Sequence, residues 1–182
     1  MERFPVHTLD TAPEASRKSL KDVQDRFGMI PNLAAKMATS PVLIASFIQI
    51  FDKVHGGSFT EPEIQTVLLT DAVTNRCAWA VALHSALALK AGLDPADVAA
   101  MRDGRSPSDT KLGALSALAR ALIEQRGRLD EDNIERFVAA GYRNELVLEV
   151  ITIVAASTIT NYTGNVTKPP LESMLQSQEW KQ

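Results

Sequence analysis

The sequence has 182 residues, a net charge of −3 and 45% hydrophobic residues, which suits one globular domain with a substantial core. Nucleic acids and anionic membranes attract clustered Lys and Arg, so the weakly acidic balance argues against both as partners. Only 5% of the residues are aromatic, which also disfavours stacking platforms for bases.

Targeting signals and metal sites are not evident in the sequence. No stretch has the roughly eighteen apolar residues of a membrane span, and residues 1–5 lack the apolar core of a secretory signal. Cys77 is the single cysteine, which excludes an internal disulfide and fits a reducing cytoplasm. His7, His55 and His84 have no metal-binding spacing, so we expect no metal and no cofactor. The single cysteine and the lack of a secretory signal predict a cytoplasmic location.

Nearly every segment in chain order has the periodicity and end signals of a helix. Gly28 is placed to end the first helix, Ser40 and Asp130 to cap later ones, and Thr60 with Glu63 forms a capping box. The first predicted helix ends at residue 27, and the next three span 32–37, 41–55 and 61–74. A fifth helix runs from a cap at Asn75 to residue 91, and a sixth begins at Asp94-Pro95. The next two span 111–125 and 131–140.

The segment 145–161 is rich in Val, Ile and Thr, so its composition alone does not distinguish a strand from a buried helix. Its length without a turn signal favours the helix. Pro169-Pro170 then breaks the chain before a tail that we expect to be exposed. The sequence therefore predicts an all-α, single-domain helical bundle over residues 1–182.

The stretch 75–84 carries the most chemistry. Cys77 and His84 are seven residues apart, nearly two helical turns, so their side chains leave the same face, with Ala80 between them. With Asn75 as cap, Cys77 lies in the first turn, where the helix dipole, Arg76 and His84 would lower the pKa of the thiol. The sequence allows a reactive thiol, but it also allows a small buried hydrophobe, as most free cysteines are.

Other side chains near this stretch also have two interpretations. His84 in an apolar helix is either a base or a core residue with one hydrogen bond. Glu63 is first a capping partner and second a proton carrier. Gln65 could project towards the thiol, but an amide does not relay protons as a carboxylate does. Trp79 is most simply explained by packing in the core or at a subunit interface.

The pattern Asn75, Cys77, His84, followed by a small-residue helix ending in 91–93, resembles the alkylhydroperoxidase D-like and carboxymuconolactone decarboxylase family. The signature of that family is Asn-x-Cys-x-x-Cys-x-x-x-His after an acidic helix. The resemblance extends over roughly residues 12–172 and is strongest to the longer, peroxidase-related branch. Its flanking matches are 28–33, 38–41, 139–142, 149–150 and 161–163.

The resemblance implies a dithiol peroxidase cycle in the active members of the family. The cysteine nearer the histidine attacks the peroxide and becomes a sulfenic acid, and the other cysteine resolves it to a disulfide. By position, Cys77 matches the resolving cysteine and His84 the proton-relay histidine. Ala80 falls where the attacking cysteine belongs.

Two further positions depart from the family pattern. The acidic residue twelve positions before the first cysteine is Gln65 here, although Glu63 lies close by. Longer relatives commonly have Asn-Tyr-x-Asn-His near the C-terminus, whereas residues 161–165 read Asn-Tyr-Thr-Gly-Asn without a histidine. These departures indicate that the peroxidase cycle has been lost or altered.

Three functions follow as expectations. The first is an antioxidant-type peroxidase in which Cys77 attacks a hydroperoxide, His84 protonates the leaving alkoxide and an external thiol restores the enzyme. The second is a non-catalytic relative that binds small molecules or acts in an oligomer. The third is a carboxymuconolactone decarboxylase, for which the substrate carboxylates would need cations, with Arg76, Arg102 and Arg143 as candidates.

The resemblance also implies an oligomer, because members of the family commonly assemble with the signature helices close to a subunit interface. The apolar, small-residue run 78–93 is consistent with close helix packing. We therefore expect at least a homodimer.

Overall fold

The computed structural model describes residues 3–181. Met1, Glu2 and Gln182 belong to the predicted domain 1–182 but lie outside the described residues. The first two of them are also part of the N-terminal segment that was checked for a signal. Within the described part the chain is all-helical and forms a single domain, which confirms the predicted fold class. The helices are α1 (Glu14–Phe27), α2 (Asn32–Met37), α3 (Pro41–His55), α4 (Glu61–Thr74), α5 (Ala78–Lys90), α6 (Pro95–Arg102), α7 (Thr110–Glu124), α8 (Glu131–Ala139), α9 (Leu146–Thr167) and a 3-10 helix (Ser173–Gln178).

Most of the predicted helix ends are confirmed by their capping geometry. Ser40 caps α3 by accepting a hydrogen bond from the backbone N–H of Leu43 at 3.3 Å. Glu63 reaches back to accept from the backbone N–H of Thr60 at 2.9 Å, as a capping box requires. Gly28 ends α1 with a φ of 71°, a left-handed conformation that glycine adopts without a steric penalty.

The cap predicted at Asn75 is wrong. Asn75 follows the last residue of α4, and its N–H bonds to the Asp71 carbonyl. Arg76 then adopts a left-handed φ of 52°, and Cys77 is itself the residue that precedes the first turn of α5. This turn shifts the start of the helix, so that Cys77 lies at its N-terminus rather than inside it.

The apolar segment predicted as a buried helix is α9, which extends six residues beyond the predicted end and packs against α2, α3, α4, α5 and α7. The expectation that no segment is long and apolar enough to cross a membrane is wrong for this helix. With a mean hydropathy of 1.4, α9 is long and apolar enough to cross a membrane by length and composition alone. A central helix of a bundle can have the same length and composition, so this is weak evidence for a membrane span.

Two hydrophobic clusters form the core. One is centred on Leu20 of α1, Ile44 of α3 and Met101 of α6, and the other on Leu118 of α7 and Phe137 of α8. Helices α4, α5 and α9 run through the middle of the bundle and contact one another. The candidate site lies where these two clusters meet.

The C-terminal tail is not simply exposed as predicted. Leu175 of the 3-10 helix is buried, and the indole N–H of Trp180 donates to the Arg102 carbonyl at 3.2 Å. The Arg102 guanidinium in turn donates to the carbonyls of Gln178 and Glu179, each at 3.0 Å. The tail is therefore tied across α5 and α6.

Candidate functional site

A mainly apolar cavity of about 230 Å³ lies among α1, α2, α3, α4, α5 and α9. Its walls are rich in aromatic and aliphatic side chains, which favour a small apolar molecule over water. Five polar side chains also reach it, and they are His55, Glu61, Gln65, His84 and Thr160.

Four of these polar side chains form one continuous hydrogen-bonded chain. Nδ1 of His84 lies 3.0 Å from Oε1 of Gln65, and Nε2 of Gln65 donates to Oε1 of Glu61 at 2.6 Å. The other carboxylate oxygen of Glu61 lies 3.2 Å from Nδ1 of His55. The buried wall of the cavity is thereby connected to Glu61, which is half exposed.

His84 is neutral in this environment. Burial, with a smaller effect of neighbouring His55, lowers the pKa of His84 to about 3. Since an amide oxygen only accepts hydrogen bonds, Nδ1 of His84 must carry the proton. The remaining ring nitrogen, Nε2, has no hydrogen-bond partner among the described residues. It is an unprotonated acceptor in a largely apolar cavity.

Cys77 lies outside this cavity, although it is on the same helix as His84. Its side chain is 1% exposed and faces Gly164 of α9, where a Cβ atom would be 2.6 Å from Sγ. Burial raises the pKa of the Cys77 thiol, although backbone N–H groups of Ala80 and Trp79 favour the thiolate. The predicted lowering of this pKa is therefore wrong, because desolvation outweighs the helix terminus.

Glu63 is likewise placed away from the cavity, at the start of α4. Burial would raise the pKa of Glu63, but bonds from the backbone N–H and hydroxyl of Thr60, and from Lys111, together lower it. The Lys111 ammonium is 3.1 Å from the carboxylate and also lies over the ring of Tyr142. Glu63 thus has the capping role that its spacing predicts, and no contact here links it to His84.

Two of the four predicted site residues are in direct contact, namely Gln65 and His84. Ala80 is fully buried and places no sulfur beside His84. Of the three arginines considered for a decarboxylase, none lines the cavity. Arg102 holds the tail, and Arg143 lies 3.1 Å from Glu145.

Trp79 also lines the cavity, and its indole N–H donates to Oε2 of Glu172 at 2.9 Å. The other carboxylate oxygen of Glu172 accepts from the backbone N–H of Asn32 at 2.6 Å, at the start of α2. A tail residue therefore joins two walls of the cavity. Packing is the simplest sequence-based prediction for Trp79, and no local pattern indicates Glu172, which lies 93 positions away.

Asp71 is a further buried polar residue that the sequence analysis missed. Its side chain is fully buried between α4 and α9, and burial raises its pKa well above the usual range, with Ser157 only partly offsetting this. The amide of Asn161 donates to the Ser157 hydroxyl at 3.0 Å. Burial therefore favours the neutral carboxylic acid form of Asp71 over the carboxylate. Across residues 3–181, no group of three or more His, Cys, Asp or Glu side chains could hold a metal ion.

No protein-family model and no curated protein sequence matches this chain. Its structure is similar to the alkylhydroperoxidase AhpD core of an uncharacterized peroxidase-related protein from Ralstonia eutropha JMP134, with a TM-score of 0.82 and 20% identity over 95% of this chain and 93% of that one. A peroxidase-related protein from Silicibacter sp. TM1040 matches with a TM-score of 0.78 and 15% identity over 98% and 94%.

The debrominase Bmp8 is also similar, with a TM-score of 0.77 and 16% identity over 96% of this chain and 94% of that one. A cysteine-to-alanine variant of Bmp8 has been solved in complex with 2,3,4-tribromopyrrole. At these identities the likeness establishes the fold. The chain has the AhpD-like helical fold that its sequence pattern implied.

Proposed function

We propose that this chain, which has the AhpD-like fold, is a peroxidase-related protein that takes a small apolar molecule into the cavity beside His84. It does so without the two-cysteine peroxidase cycle. The observation that carries this proposal is the separation of the two groups: His84 lines the cavity, and the single thiol does not.

The size and lining of the cavity support a ligand of about one ring. An apolar protein cavity of roughly 150 Å³ takes up benzene, so about 230 Å³ has room for a substituted ring. A related fold provides a parallel, because the Bmp8 variant holds a small brominated ring. Neutral His84 is the side chain in this cavity that is best placed to accept a hydrogen bond from such a molecule.

A binding experiment tests this directly. Calorimetric titration with toluene should show saturable binding to the natural chain, and Ala156→Leu, which fills the cavity wall, should weaken it at least tenfold. Ala99→Leu adds the same atoms at an exposed position of α6, away from the cavity, and should leave binding unchanged. Equal binding by both variants would contradict the proposal.

A peroxidase assay tests the second part of the proposal. The natural chain and Cys77→Ser should consume an alkyl hydroperoxide at the same background rate, with the thiol count unchanged under excess peroxide. Ala80→Cys places a thiol one turn before His84. Activity that appears only in this variant would mean that the scaffold lacks just its attacking sulfur.

A single-cysteine peroxidase is the second candidate, because the N–H groups of Trp79 and Ala80 are directed at the Cys77 sulfur. In that reaction the thiolate attacks the distal peroxide oxygen, the O–O bond breaks, and the proton released by the Cys77 thiol reaches the leaving alkoxide through water. One external thiol then condenses with the sulfenic acid to a mixed disulfide and releases water, and a second external thiol displaces Cys77 as a free thiol. Loss of one thiol per chain from folded protein, with turnover in the presence of a thiol reductant, would favour this candidate.

We also infer that the chain forms a homo-oligomer of at least two copies. Large apolar side chains are exposed along one side of α9, at Leu148, Ile151, Tyr162 and Val166. Such a continuous patch is typical of an interface. Light scattering should give a mass of at least twice 19.8 kDa, and Leu148→Lys with Val166→Lys should reduce it to that of the monomer.

A further inference from the structure

We propose that the cavity selects neutral molecules that donate a hydrogen bond, such as alcohols, phenols, N–H heterocycles or the O–H end of a hydroperoxide. This inference rests on the proposed function, since it specifies which small apolar molecules the cavity accepts. It follows from the direction of the hydrogen bonds that lead from Glu61 to His84.

That direction is fixed at one end. Glu61 is a carboxylate at the start of α4, where it only accepts hydrogen bonds and the helix dipole favours its negative charge. The Gln65 amide must therefore turn its NH₂ group to Glu61, at 2.6 Å, and its oxygen to His84, at 3.0 Å. The reverse orientation would set two oxygens against each other.

The orientation of Gln65 then determines what His84 offers a ligand. Nδ1 donates to the amide oxygen, so Nε2 has a lone pair and no proton. Because the side chain is buried, the neutral form persists over the whole physiological pH range. A ligand that approaches Nε2 gains a hydrogen bond only if it supplies the hydrogen.

Three other donors close to the cavity are already engaged, and the first is Nδ1 of His55, which faces the Glu61 carboxylate at 3.2 Å. The Trp79 indole N–H is given to Glu172 at 2.9 Å, and the Thr160 hydroxyl to the Ser157 carbonyl at 2.8 Å. No lysine or arginine lines the cavity within residues 3–181. A ketone, an aldehyde or a carboxylate would therefore bring an acceptor to a wall that presents acceptors, and a carboxylate would also lose its hydration without a counter-charge.

The test compares phenol, which donates, with toluene, which has nearly the same shape and cannot. Toluene leaves water more readily, so the informative quantity is the ratio of the two affinities in each variant. We expect His84→Leu to lower the ratio of phenol affinity to toluene affinity about tenfold, the effect of one well-made hydrogen bond. Thr160→Val removes a hydroxyl that lines the cavity and should lower this affinity ratio less than twofold.

The outcomes separate this inference from the function on which it rests. If toluene does not bind the natural chain, both are overturned. If toluene binds but the affinity ratio is the same in His84→Leu, or falls only in Thr160→Val, the choice of His84 as acceptor is overturned and the binding function remains.

A second measurement does not depend on the folding of a variant. The ¹⁵N spectrum of the His84 ring in the natural chain should show a protonated Nδ1 and an unprotonated Nε2 at pH 7. Phenol should shift the Nε2 signal, and toluene should leave it nearly unchanged. A proton on Nε2, or an equal response to both compounds, would overturn the inference.

Discussion

The backbone of Gly164 on α9 lies against the thiol of Cys77, so closely that a Cβ atom on residue 164 would be 2.6 Å from Sγ. Gly164 has an ordinary helical backbone and no positive φ. The glycine is therefore needed for the close approach and not for an unusual backbone conformation. The Asn-Tyr-x-Asn-His pattern of longer relatives would put asparagine at position 164. With an asparagine at 164, the thiol would have to shift from its observed position.

Gly164→Ala tests this contact. Overpacking costs about 1–3 kcal/mol in a tight interior, whereas alanine in a helix is favoured over glycine by about 0.5–1 kcal/mol. We therefore expect a net loss of about 1–2 kcal/mol in the free energy of unfolding, measured by chemical denaturation.

The control for Gly164→Ala is the variant that also carries Cys77→Ala. Removing the sulfur makes room for the new methyl group, so the double variant should be more stable than Gly164→Ala alone. Strictly additive free energies of unfolding would mean that the two residues are not in contact.

The helix ends show how far the sequence predicts this fold. Gly28, Ser40 and the Thr60–Glu63 box act within one turn, so the sequence around them contains the full signal. The sequence around the turn between α4 and α5 contains no such signal, because Arg76 adopts a left-handed backbone conformation that glycine or asparagine usually occupies. Tertiary packing overrides the local preference at that position.

The site was predictable only where it follows the helix period and the family pattern. Position twelve before Cys77 and position seven after it indicated Gln65 and His84, and these are in contact. The link between Trp79 and Glu172 spans 93 positions, and only the folded chain brings them together. Cys77 lies outside the cavity because its side chain faces α9. The position of α9 relative to Cys77 cannot be predicted from the local sequence.

Glu172 provides a second prediction, because its carboxylate joins α2 to α5. Glu172→Ala leaves the backbone N–H of Asn32 and the indole N–H of Trp79 without their acceptor. An unpaired buried donor costs about 1–3 kcal/mol, and since both of these bonds are only partly buried we expect a total loss of about 1–2 kcal/mol in the free energy of unfolding. Weaker binding of toluene should accompany it, since Trp79 lines the cavity and Asn32 lies between the lining residues Pro31 and Leu33.

Glu172→Gln is the matched control, since it keeps one acceptor oxygen and the same size. Its stability should lie between those of the natural chain and Glu172→Ala. Fluorescence in a Trp180→Phe background would report Trp79 alone, as the chain has two tryptophans. An alanine variant as stable as the natural chain would contradict the joining role.

Asp71 provides a third prediction, on pH dependence. Burial raises its pKa in the folded chain, so between about pH 4 and that raised pKa the unfolded chain ionises while the folded chain keeps its proton. Stability is thus lost as the pH rises through this range. Asp71→Asn does not titrate, so its stability relative to the natural chain should increase with pH from about 4 upwards.

His84 acts in the opposite direction over part of the same range. Its folded pKa of about 3 lies below the unfolded value of about 6.5, so its contribution to stability is lost as the pH falls below 6.5, by about 2 kcal/mol at pH 5. The measurement must therefore be the difference in unfolding free energy between Asp71→Asn and the natural chain at each pH. Asp10→Asn, at an exposed position, should show no such trend.

The last prediction exchanges the first two links of the polar chain, with Glu61→Gln and Gln65→Glu made together. The net charge is unchanged, but the carboxylate now lies directly against Nδ1 of His84, where the amide oxygen is 3.0 Å away in the natural chain. An adjacent negative charge typically raises the pKa of a cation by about 1–3 units, so the pKa of His84 should rise from about 3 by that amount. NMR titration of the His84 ring would measure it.

Glu61→Gln with Gln65→Leu is the control for this exchange, because it removes both the carboxylate and the amide oxygen beside the imidazole. The pKa of His84 should then stay as low as in the natural chain or fall further, since burial alone remains to set it. In the exchanged chain the protonated Nε2 would become a donor at acidic pH, and benzaldehyde, which only accepts hydrogen bonds, should then bind more tightly than at pH 7. An unchanged His84 pKa in the exchanged chain would mean that residue 65 does not control the proton on this histidine, whereas a rise confined to that chain would mean that a carboxylate at position 65 is enough to offset the burial that otherwise keeps the imidazole neutral.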